Sequence, residues 1–366
     1  MRILAIESSC DETAAAVLDG PRRVLASVVS SQVRLHAPYG GVVPEIAARH
    51  HLEAIEPIVE EALRRADAVT GGASPAPTGS RTGLDAIDGI AVTHGPGLIG
   101  CLLVGVSTAR ALAMARHLPI VGVNHLAGHI ASGWLETPDL PYPALALVVS
   151  GGHTALWKVS GPREYTQLAK TRDDAAGEAF DKVAKLLGLP YPGGPTIDRL
   201  APQGDPHAVA FGEVKTKGAL DFSFSGYKTA VRVHMAETGL QPLTREDEDP
   251  PQPMLDLVAS FRHAVVRELI RRTRQVIAVE RPRALVVAGG VAANALLRRE
   301  ALALADECGL ALSIPPLRYC GDNAAMIGLA GLPLLEAGEN HLDDLDAAAS
   351  LPLGGAEAQR TTLRHL

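Results

Sequence analysis

The chain has 366 residues, of which 47% are hydrophobic and 20% are charged, and its formal net charge is −7. This composition is typical of a globular protein long enough for two lobes, and it argues against a disordered chain or a strongly basic nucleic-acid-binding protein. The four cysteines lie far apart without a CxxC pair, which predicts reduced thiols and no disulfide framework.

Neither the N-terminus nor the apolar segments predict export or membrane insertion. The apolar run within residues 1–7 is too short for a signal peptide. No stretch reaches the roughly 18 uninterrupted apolar residues of a membrane span. We therefore expect a cytoplasmic protein that does not enter a membrane.

The chain begins with an apolar strand, a polar turn and a second apolar strand over residues 3–18, and residues 144–159 repeat this plan. The second turn, Ser-Gly-Gly-His-Thr at 150–154, has small residues that leave backbone N–H groups accessible to a phosphate. The repeat predicts a duplicated fold in which two hairpins grip one phosphorylated ligand.

A glycine-rich sequence, Gly-Pro-Gly-Leu-Ile-Gly at 95–100, matches the dinucleotide-binding pattern G-x-G-x-x-G. It follows an apolar strand at 87–92 and precedes a helical pattern. The full pattern also requires an acidic residue on the next strand, about 20 residues later, to bind a ribose hydroxyl. That strand ends in Asn124 and His125 instead, so the sequence disfavours a nicotinamide cofactor.

Two histidines, His125 and His129, lie four residues apart directly after this strand. This spacing puts both imidazoles on one face of a helix, where their nitrogens can share a metal ion. A metallopeptidase would need a glutamate as general base after the first histidine, and Leu126 occupies that position. The pair predicts a metal that orients or polarises a ligand, and two metal-free histidines at a helix start are the alternative.

Two later segments add polar groups beside apolar elements. Residues 173–182 open an acid-rich helix that leads to Tyr-Pro-Gly-Gly-Pro at 191–195. Residues 284–294 form a buried strand, a glycine pair and a helix start. A nucleoside can lie against such glycines, and a helix N-terminus favours negative charge. Together with the two hairpins, the second segment favours a nucleotide ligand. The acids of the first segment are explained equally well as a complement to the helix dipole.

Three segments are predicted to be surface features. Residues 71–83 and 241–253 are rich in glycine, proline or acidic residues, and we expect exposed insertions there. The arginines of residues 267–274, with Arg281 and Arg283, could contact RNA. A solvated helix face is the preferred interpretation of these arginines.

Seven motifs occur in an order that resembles one known family. They are Ile-Glu-Ser-Ser-Cys-Asp-Glu-Thr at 6–13, Asn-His-Leu-Ala-Gly-His at 124–129, Val-Ser-Gly-Gly-His-Thr at 149–154, the segment 177–185 around Asp181, Gly-Gly-Pro at 193–195, residues 289–294, and Cys-Gly-Asp-Asn-Ala-Ala-Met at 320–326. The chain is similar over almost its whole length to the tRNA N6-adenosine threonylcarbamoyltransferase family in its bacterial form. Older descriptions called this family O-sialoglycoprotein endopeptidases.

The resemblance implies an α/β fold of the actin-like and sugar-kinase-like type, in which two lobes each contain a mixed sheet and helices and the ligand lies between them. The expected lobes are residues 1–135 and 136–366, with the C-terminal segment packing back on the first lobe.

The resemblance also implies an acyltransferase. The threonylcarbamoyl group would move from threonylcarbamoyl-AMP to N6 of adenosine 37 in tRNAs that read codons beginning with A, with release of AMP (t6A formation). A sugar or carboxylate kinase of the same fold is the alternative, because it would use the same hairpins without needing the histidine pair. A catalytically silent actin-like scaffold is disfavoured, because the histidines and Asp322 are all present.

Site residues follow from the same resemblance. One divalent ion, Fe²⁺ or Zn²⁺, is assigned to His125, His129 and Asp322. Our own mechanistic hypothesis adds that Asp11 or Glu12 helps to remove the proton of the attacking amine. That amine is a poor nucleophile because its lone pair is delocalised into the purine, so the acyl donor must be activated. The residues assigned to the adenylate are Val148, Val149, Ser150, Gly151, Gly152, Asp181, Gly194, Asp198 and Asn294.

The implied partners are tRNA, a smaller actin-like paralogue that forms a heterodimer with the chain, and a P-loop ATPase. Helical surfaces around residues 45–65 and 101–116 are candidate docking faces. Core packing explains the apolar stripes of these helices equally well.

Overall fold

The computed structural model describes residues 1–71, 82–212, 220–245 and 249–354. Its contacts divide the chain into two compact units. Among the described residues, unit 1 contains residues 1–36, 42–71, 82–139 and 321–353, and unit 2 contains the others.

Ten strands and ten α-helices make up the regular structure of the described residues. The strands are β1 Arg2–Glu7, β2 Glu12–Asp19, β3 Val24–Ser31, β4 Gly89–Gly95, β5 Ile120–Asn124, β6 Ala144–Val149, β7 Thr154–Gly161, β8 Glu164–Lys170, β9 Ala284–Ala288 and β10 Ala311–Ser313. The helices are α1 Val33–His36, α2 Pro44–Gly71, α3 Ile99–Arg116, α4 His125–Ala131, α5 Ala176–Leu186, α6 Gly193–Leu200, α7 Ser225–Thr238, α8 Gln252–Glu280, α9 Ala295–Cys308 and α10 Ala324–Glu336.

Each unit contains a five-stranded sheet with the same topology. The first sheet has the order β3-β2-β1-β4-β5 and the second has the order β8-β7-β6-β9-β10. In both sheets the first three strands form an antiparallel meander, and the remaining two strands pair in parallel. The predicted duplication of a mixed sheet is therefore confirmed, and both predicted hairpins are present as β1–β2 and β6–β7.

Helices cover both faces of the sheet in unit 1, which explains why its strands are almost continuously apolar. Leu4 and Ile6 belong to a core with residues of α2 and α3. On the opposite face α10 approaches the sheet through two glycines. A Cβ on Gly331 would lie 2.6 Å from the Cβ of Ala91, and one on Gly328 would lie 2.4 Å from Leu18 Cδ1. Glycine is required there because α10 lies directly on the strands.

Unit 2 has its own core beneath the second sheet, formed by β6, β7 and β9 with α5 and α8. Aromatic side chains fill much of it. The rings of Phe180 and Phe261 meet edge to face with centroids 5.4 Å apart, and the rings of Tyr227 and Phe261 do the same at 6.0 Å. This core anchors α5, whose N-terminus reaches the turn after β6.

Helix α3 is the one helix in the described part of the chain whose length and hydropathy would suit a membrane span. Its inner face consists of small and apolar residues packed within unit 1, including Leu102, Val106 and Ala109. Arg110 donates to the carbonyl of Leu345, 3.3 Å away. A helix that packs in a protein core meets the same criteria of length and hydropathy. All four cysteines are free thiols, as predicted.

Three boundaries differ from the sequence predictions. Helix α5 begins at Ala176, so Asp173 and Asp174 precede it. Asp173 instead accepts hydrogen bonds from the backbone N–H groups of Phe224 and Ser225, at 2.7 and 3.3 Å, at the start of α7. The predicted Pro-Gly-Gly-Pro loop is partly helical, because α6 begins at Gly193. The predicted insertion 241–253 includes the start of α8 at Gln252. Residues 72–81 and 246–248 of the two predicted insertions lie outside the described residues.

The arginines considered as an RNA-binding patch are largely paired within the protein. Glu268 is buried and accepts from Arg271 and Arg272 at 2.7 and 2.9 Å. Arg274 pairs with Glu307. These contacts favour a structural role for this face of α8, because each carboxylate offsets the attraction that its paired guanidinium would exert on a phosphate.

Candidate active site

Helix α4 carries the two histidines and begins where β5 ends. Asn124 caps the helix, and its Oδ1 accepts from the backbone N–H of Leu126 at 2.9 Å. His125 and His129 follow on the same face, and their ring centroids are 4.6 Å apart. Both histidines are buried, with His129 fully inaccessible to solvent. The predicted helical pair is therefore present.

Asp322, which lies just before α10, completes a cluster with the two histidines. Its Oδ1 is 3.6 Å from His125 Nε2 and 3.2 Å from His129 Nε2. One ligand atom from each residue lies within 4.8 Å of the other two. Among the described residues this is the one group of three or more histidine, cysteine or acidic side chains with such spacing. The three side chains could hold one metal ion.

The environment of His129 matches this interpretation. Both of its ring nitrogens are buried, and neither has a hydrogen-bond partner among the described residues. Burying an imidazole without such a partner is costly unless another ligand satisfies it. Two imidazoles and one carboxylate are ligands typical of Zn²⁺ and Fe²⁺, and they leave coordination positions open. The residues present therefore fit the metal that the sequence predicts.

Helix packing brings Asp322 to the histidines. Asn323 caps α10 by accepting from the backbone N–H of Met326 at 3.0 Å. Gly128, between the histidines, permits the close approach of α10 to α4, since a Cβ there would lie 2.7 Å from Ile327 Cδ1. The position of the carboxylate thus depends on how these two helices pack.

Opposite charges dominate the electrostatics of this cluster. Although burial disfavours the charged imidazolium, the nearby charges of Asp322 and Glu7 raise the pKa of His125 to about 9. Burial opposes ionisation of Glu7, but the charge and hydrogen bond of His125 together lower the pKa of that carboxyl below its ordinary value. The carboxylates of Glu7 and Asp322 thus favour positive charge at this cluster.

The two acids predicted to assist proton removal lie beside this cluster. Asp11 is buried in the turn between β1 and β2, and Glu12 begins β2, where its carboxylate accepts from the Ser31 hydroxyl at 3.0 Å. Burial, followed by the charges of Asp322 and Asp11, raises the pKa of Glu12 to about 9. The first hairpin therefore carries acids next to the candidate metal ligands. The phosphate-gripping role predicted for this hairpin stays a prediction.

The second hairpin provides the open turn that the sequence predicts. Ser150 closes the turn by donating from its backbone N–H to the carbonyl of His153 at 2.8 Å. Gly151 and Gly152 are exposed, and a Cβ on either would meet no atom within 4 Å. Val148 and Val149 end β6 just before the turn and are buried. The turn has room for an anionic ligand against its backbone.

Helix α5 connects this turn to two of the other predicted adenylate residues within unit 2. Gly177 of α5 lies against the carbonyl of Ser150, which its backbone N–H contacts at 3.3 Å. Asp181 of α5 accepts from the backbone N–H of Gly193 at 2.8 Å, at the start of α6. Gly194 follows with open space above it. These contacts place the start of α5 at the turn and the start of α6 beside the middle of α5.

Asp198 and Asn294 occupy helix α6 and the start of helix α9. Asp198 binds Arg262 through Oδ1 at 2.8 Å, and its Oδ2 accepts from the backbone N–H of Ala295 at 3.0 Å. Asn294 caps α9 by accepting from the backbone N–H of Leu297 at 3.0 Å. Both side chains therefore hold helix ends in place, in addition to any contact with a ligand.

Sequence reasoning assigned no role to Glu7 and Thr93, although both belong to the site. They are neighbours because β1 and β4 pair in parallel, with Ile6 opposite Val92. Thr93 Oγ1 donates to Glu7 Oε2 at 2.6 Å. The sequence feature that could have indicated Glu7 is a glutamate at the end of an apolar strand. Its contact with Thr93 could not be predicted, because it depends on pairing between two strands far apart in sequence.

Comparison with known proteins identifies the family. A family model described as tRNA N6-adenosine threonylcarbamoyltransferase matches residues 23–329. A protein of that name from Geobacter sp. (strain M21) is 51% identical over 354 residues, which cover 96% of this chain and 97% of the relative. Another from Anaeromyxobacter dehalogenans (strain 2CP-1 / ATCC BAA-258) is 50% identical over 349 residues, covering 94% and 98%.

A structural likeness supports the fold assignment. The crystal structure of HypF from T. kodakarensis matches 94% of this chain and 49% of its own, with a TM-score of 0.59 and 15% sequence identity. Likeness at this identity concerns the fold alone, which is of the predicted actin-like, sugar-kinase-like class. The extent and identity of the sequence matches show that the chain belongs to the tRNA N6-adenosine threonylcarbamoyltransferase family.

Proposed function

We propose that the chain forms t6A by acyl transfer to N6 of adenosine 37, with a divalent ion held in unit 1 by His125, His129 and Asp322 and the adenylate held in unit 2. One observation carries the metal assignment: the buried Nε2 of His129 has no hydrogen-bond partner among the described residues and lies 3.2 Å from Asp322 Oδ1. Fe²⁺ and Zn²⁺ are the proposed occupants, because both accept imidazole and carboxylate ligands.

When bound, such an ion supplies a Lewis acid toward the oxygens of the threonylcarbamoyl group. The protein residues position the reactants. In unit 2 the exposed backbone of Gly151 and Gly152 is suited to the phosphate, and Asp181, Gly194, Asp198 and Asn294 are proposed to hold the nucleoside. Binding the adenylate in this way orients a mixed anhydride whose leaving group is AMP.

Proton removal from the attacking amine is assigned to Asp11 or Glu12. Both lie on the hairpin that carries Glu7. Burial and the charges of Asp322 and Asp11 keep Glu12 protonated near neutral pH, so Glu12 can accept the proton only after a bound cation has lowered its pKa. A general base placed beside the amine contributes about 10²–10⁴-fold to such a transfer. A kinase of the same fold is not favoured, since the family to which the chain belongs is one of acyltransferases.

The partners proposed are tRNA, a smaller actin-like paralogue and a P-loop ATPase, acting in the cytoplasm. The docking face proposed for the paralogue lies on α2 and α3 of unit 1. Leu52 of α2 and Ile99, Leu103 and Met114 of α3 are large apolar side chains that stay exposed. Exposed apolar residues on neighbouring helices are typical of a protein–protein contact.

The decisive experiment measures transfer of threonylcarbamoyl from its adenylate to purified tRNA, with the partner proteins present. We expect His125→Ala to lose at least about 100-fold in single-turnover rate, since a ligand to a Lewis acid would be missing. His207→Ala, a change at an exposed histidine of unit 2, is the matched control and should retain full activity. Equal rates for both variants would remove the metal from the proposal.

The same assay tests the proposed base. Asp11→Asn should slow single-turnover transfer while adenylate affinity stays unchanged, because the amide cannot accept the proton. Glu12→Gln tests the other acid in parallel. If neither substitution slows the transfer, proton removal by this hairpin is wrong.

A further inference from the structure

A buried carboxylate lies directly behind one candidate metal ligand. Glu7 is the last residue of β1 and is fully inaccessible to solvent. Two groups hold it from its own unit: the backbone N–H of Ser9 donates to Oε1 at 2.5 Å, and the Thr93 hydroxyl donates to Oε2 at 2.6 Å. A buried carboxylate is stable only with such donors, and these two fix its plane.

The third group at this carboxylate is the imidazole of His125. Its Nδ1 is 3.1 Å from Glu7 Oε2 and 3.2 Å from the hydroxyl oxygen of Ser9. An ionised carboxylate can only accept, so Nδ1 carries a hydrogen, and Nε2 is the nitrogen that offers a lone pair when the ring is neutral. Nε2 is also the nitrogen that is 3.6 Å from Asp322 Oδ1. The ring thus presents the nitrogen that would bind a metal toward the other two ligands.

The second histidine has no comparable support. The Nδ1 of His129 is buried, and it has no hydrogen-bond partner among the described residues. The two imidazoles therefore differ, although they occupy the same helix face. One has a carboxylate that sets its tautomer and orientation, and the other depends on helix packing alone.

We propose that Glu7, held by Thr93 and Ser9, is a positioning residue that fixes the Nδ1–H tautomer of His125 and strengthens its Nε2 as a metal ligand. This inference rests on the proposed metal site. A carboxylate behind a ligating histidine raises the basicity of the ring and restricts its rotation, and removing such a group typically lowers metal affinity by about 10–100-fold.

The test substitutes Glu7→Gln in the full-length chain and measures Zn²⁺ affinity by competition with a chelating dye, without substrate. The glutamine side chain has the same size, but an NH₂ group replaces one of the two carboxylate oxygens. That NH₂ would face either the Ser9 N–H or the hydrogens of Thr93 and His125, so the three donors cannot all keep an acceptor. We expect one Zn²⁺ per chain in both proteins and a dissociation constant about 10–100-fold higher in the variant.

A spectroscopic readout separates positioning from general damage. The ¹⁵N shifts of the imidazole nitrogens in the Zn²⁺-loaded protein should show Nδ1–H and a metal-bound Nε2 at His125 in the native chain, and a mixture of Nδ1-bound and Nε2-bound forms in Glu7→Gln. Glu268→Gln is the matched control, because it makes the same change at a buried glutamate of unit 2 that binds Arg271 and Arg272. This control should leave both readouts unchanged.

The outcomes are distinguishable. A native chain that binds no Zn²⁺ overturns the metal part of the proposed function, and the inference with it. A native chain that binds one ion, together with a Glu7→Gln variant of unchanged affinity and tautomer, overturns the inference alone.

Should Glu7→Gln fail to fold, Thr93→Val replaces it. Loss of the Thr93 hydrogen bond should weaken Zn²⁺ binding several-fold, and unchanged binding would overturn the inference.

Discussion

Several side chains proposed to bind the adenylate also hold the protein together. Asp198 is the clearest case, since Arg262 binds one of its oxygens and a backbone N–H of α9 binds the other. Both members of the Asp198–Arg262 pair are largely buried, with side-chain exposures of 21% and 12%. A buried carboxylate that loses its cation is strongly disfavoured, so Arg262 controls where Asp198 points.

Replacing Arg262 with Met should therefore affect adenylate binding more than chemistry. We expect the KM for the adenylate to rise about tenfold with little change in kcat, and the free energy of unfolding to fall by about 1–3 kcal/mol. Steady-state kinetics and urea unfolding measure these effects. Arg199→Met, on an exposed arginine next to Asp198 in sequence, is the control. A lower kcat with unchanged KM would contradict this role.

The element that organises unit 1 is α10. It lies on the sheet through glycines, packs against α4 beside Gly128, and carries Asp322 just before its N-terminus. A rigid contact between a helix and a sheet transmits any displacement along the helix. The distance between Asp322 and the histidines is therefore set by packing well away from the ligands.

Two glycine substitutions test this packing. Gly331→Ala places a Cβ 2.6 Å from Ala91 Cβ and 3.0 Å from Val123 Cγ2, and neither short side chain can move aside. We expect the free energy of unfolding to fall by about 1–3 kcal/mol and metal affinity to weaken. Gly226→Ala in α7 meets no atom within 4 Å and should stabilise by up to about 1 kcal/mol. Urea unfolding measures both changes in the free energy of unfolding. If both substitutions stabilise the protein, or both destabilise it, α10 is not packed as closely as described.

For the whole molecule, the separate cores of the two units matter most. The proposed metal ligands all belong to unit 1, whereas the proposed adenylate residues all belong to unit 2. A ligand that binds only folded protein stabilises the unit that contains its site. Each unit should therefore respond mainly to its own ligand.

Calorimetry of the full chain tests this expectation. Zn²⁺ at 100 times its dissociation constant should stabilise unit 1 by about 2.7 kcal/mol and raise the midpoint of the associated transition. His129→Ala should abolish this shift, because one of three ligands is missing. The same variant should still be stabilised by an AMP-containing ligand through unit 2. A Zn²⁺ shift that persists in His129→Ala would place the ion elsewhere.

Features that depend on short-range spacing were predictable from the amino-acid sequence alone. His125 and His129 share a helix face because four residues make about one turn, and the two hairpins follow from apolar runs joined by short turns. The family and its reaction were also recognisable from motifs in order, including Asp322, whose role no local spacing could indicate.

Contacts between groups far apart in sequence could not be predicted in this way and are visible only in the folded protein. Glu7 contacts Thr93 because of the register between β1 and β4. Asp173 lies outside α5 and binds the start of α7, and Arg274 forms an ion pair with Glu307. Local spacing specifies neighbours within one helix or hairpin. Contacts between distant segments depend instead on sheet order and helix packing, which are cooperative properties of the whole fold.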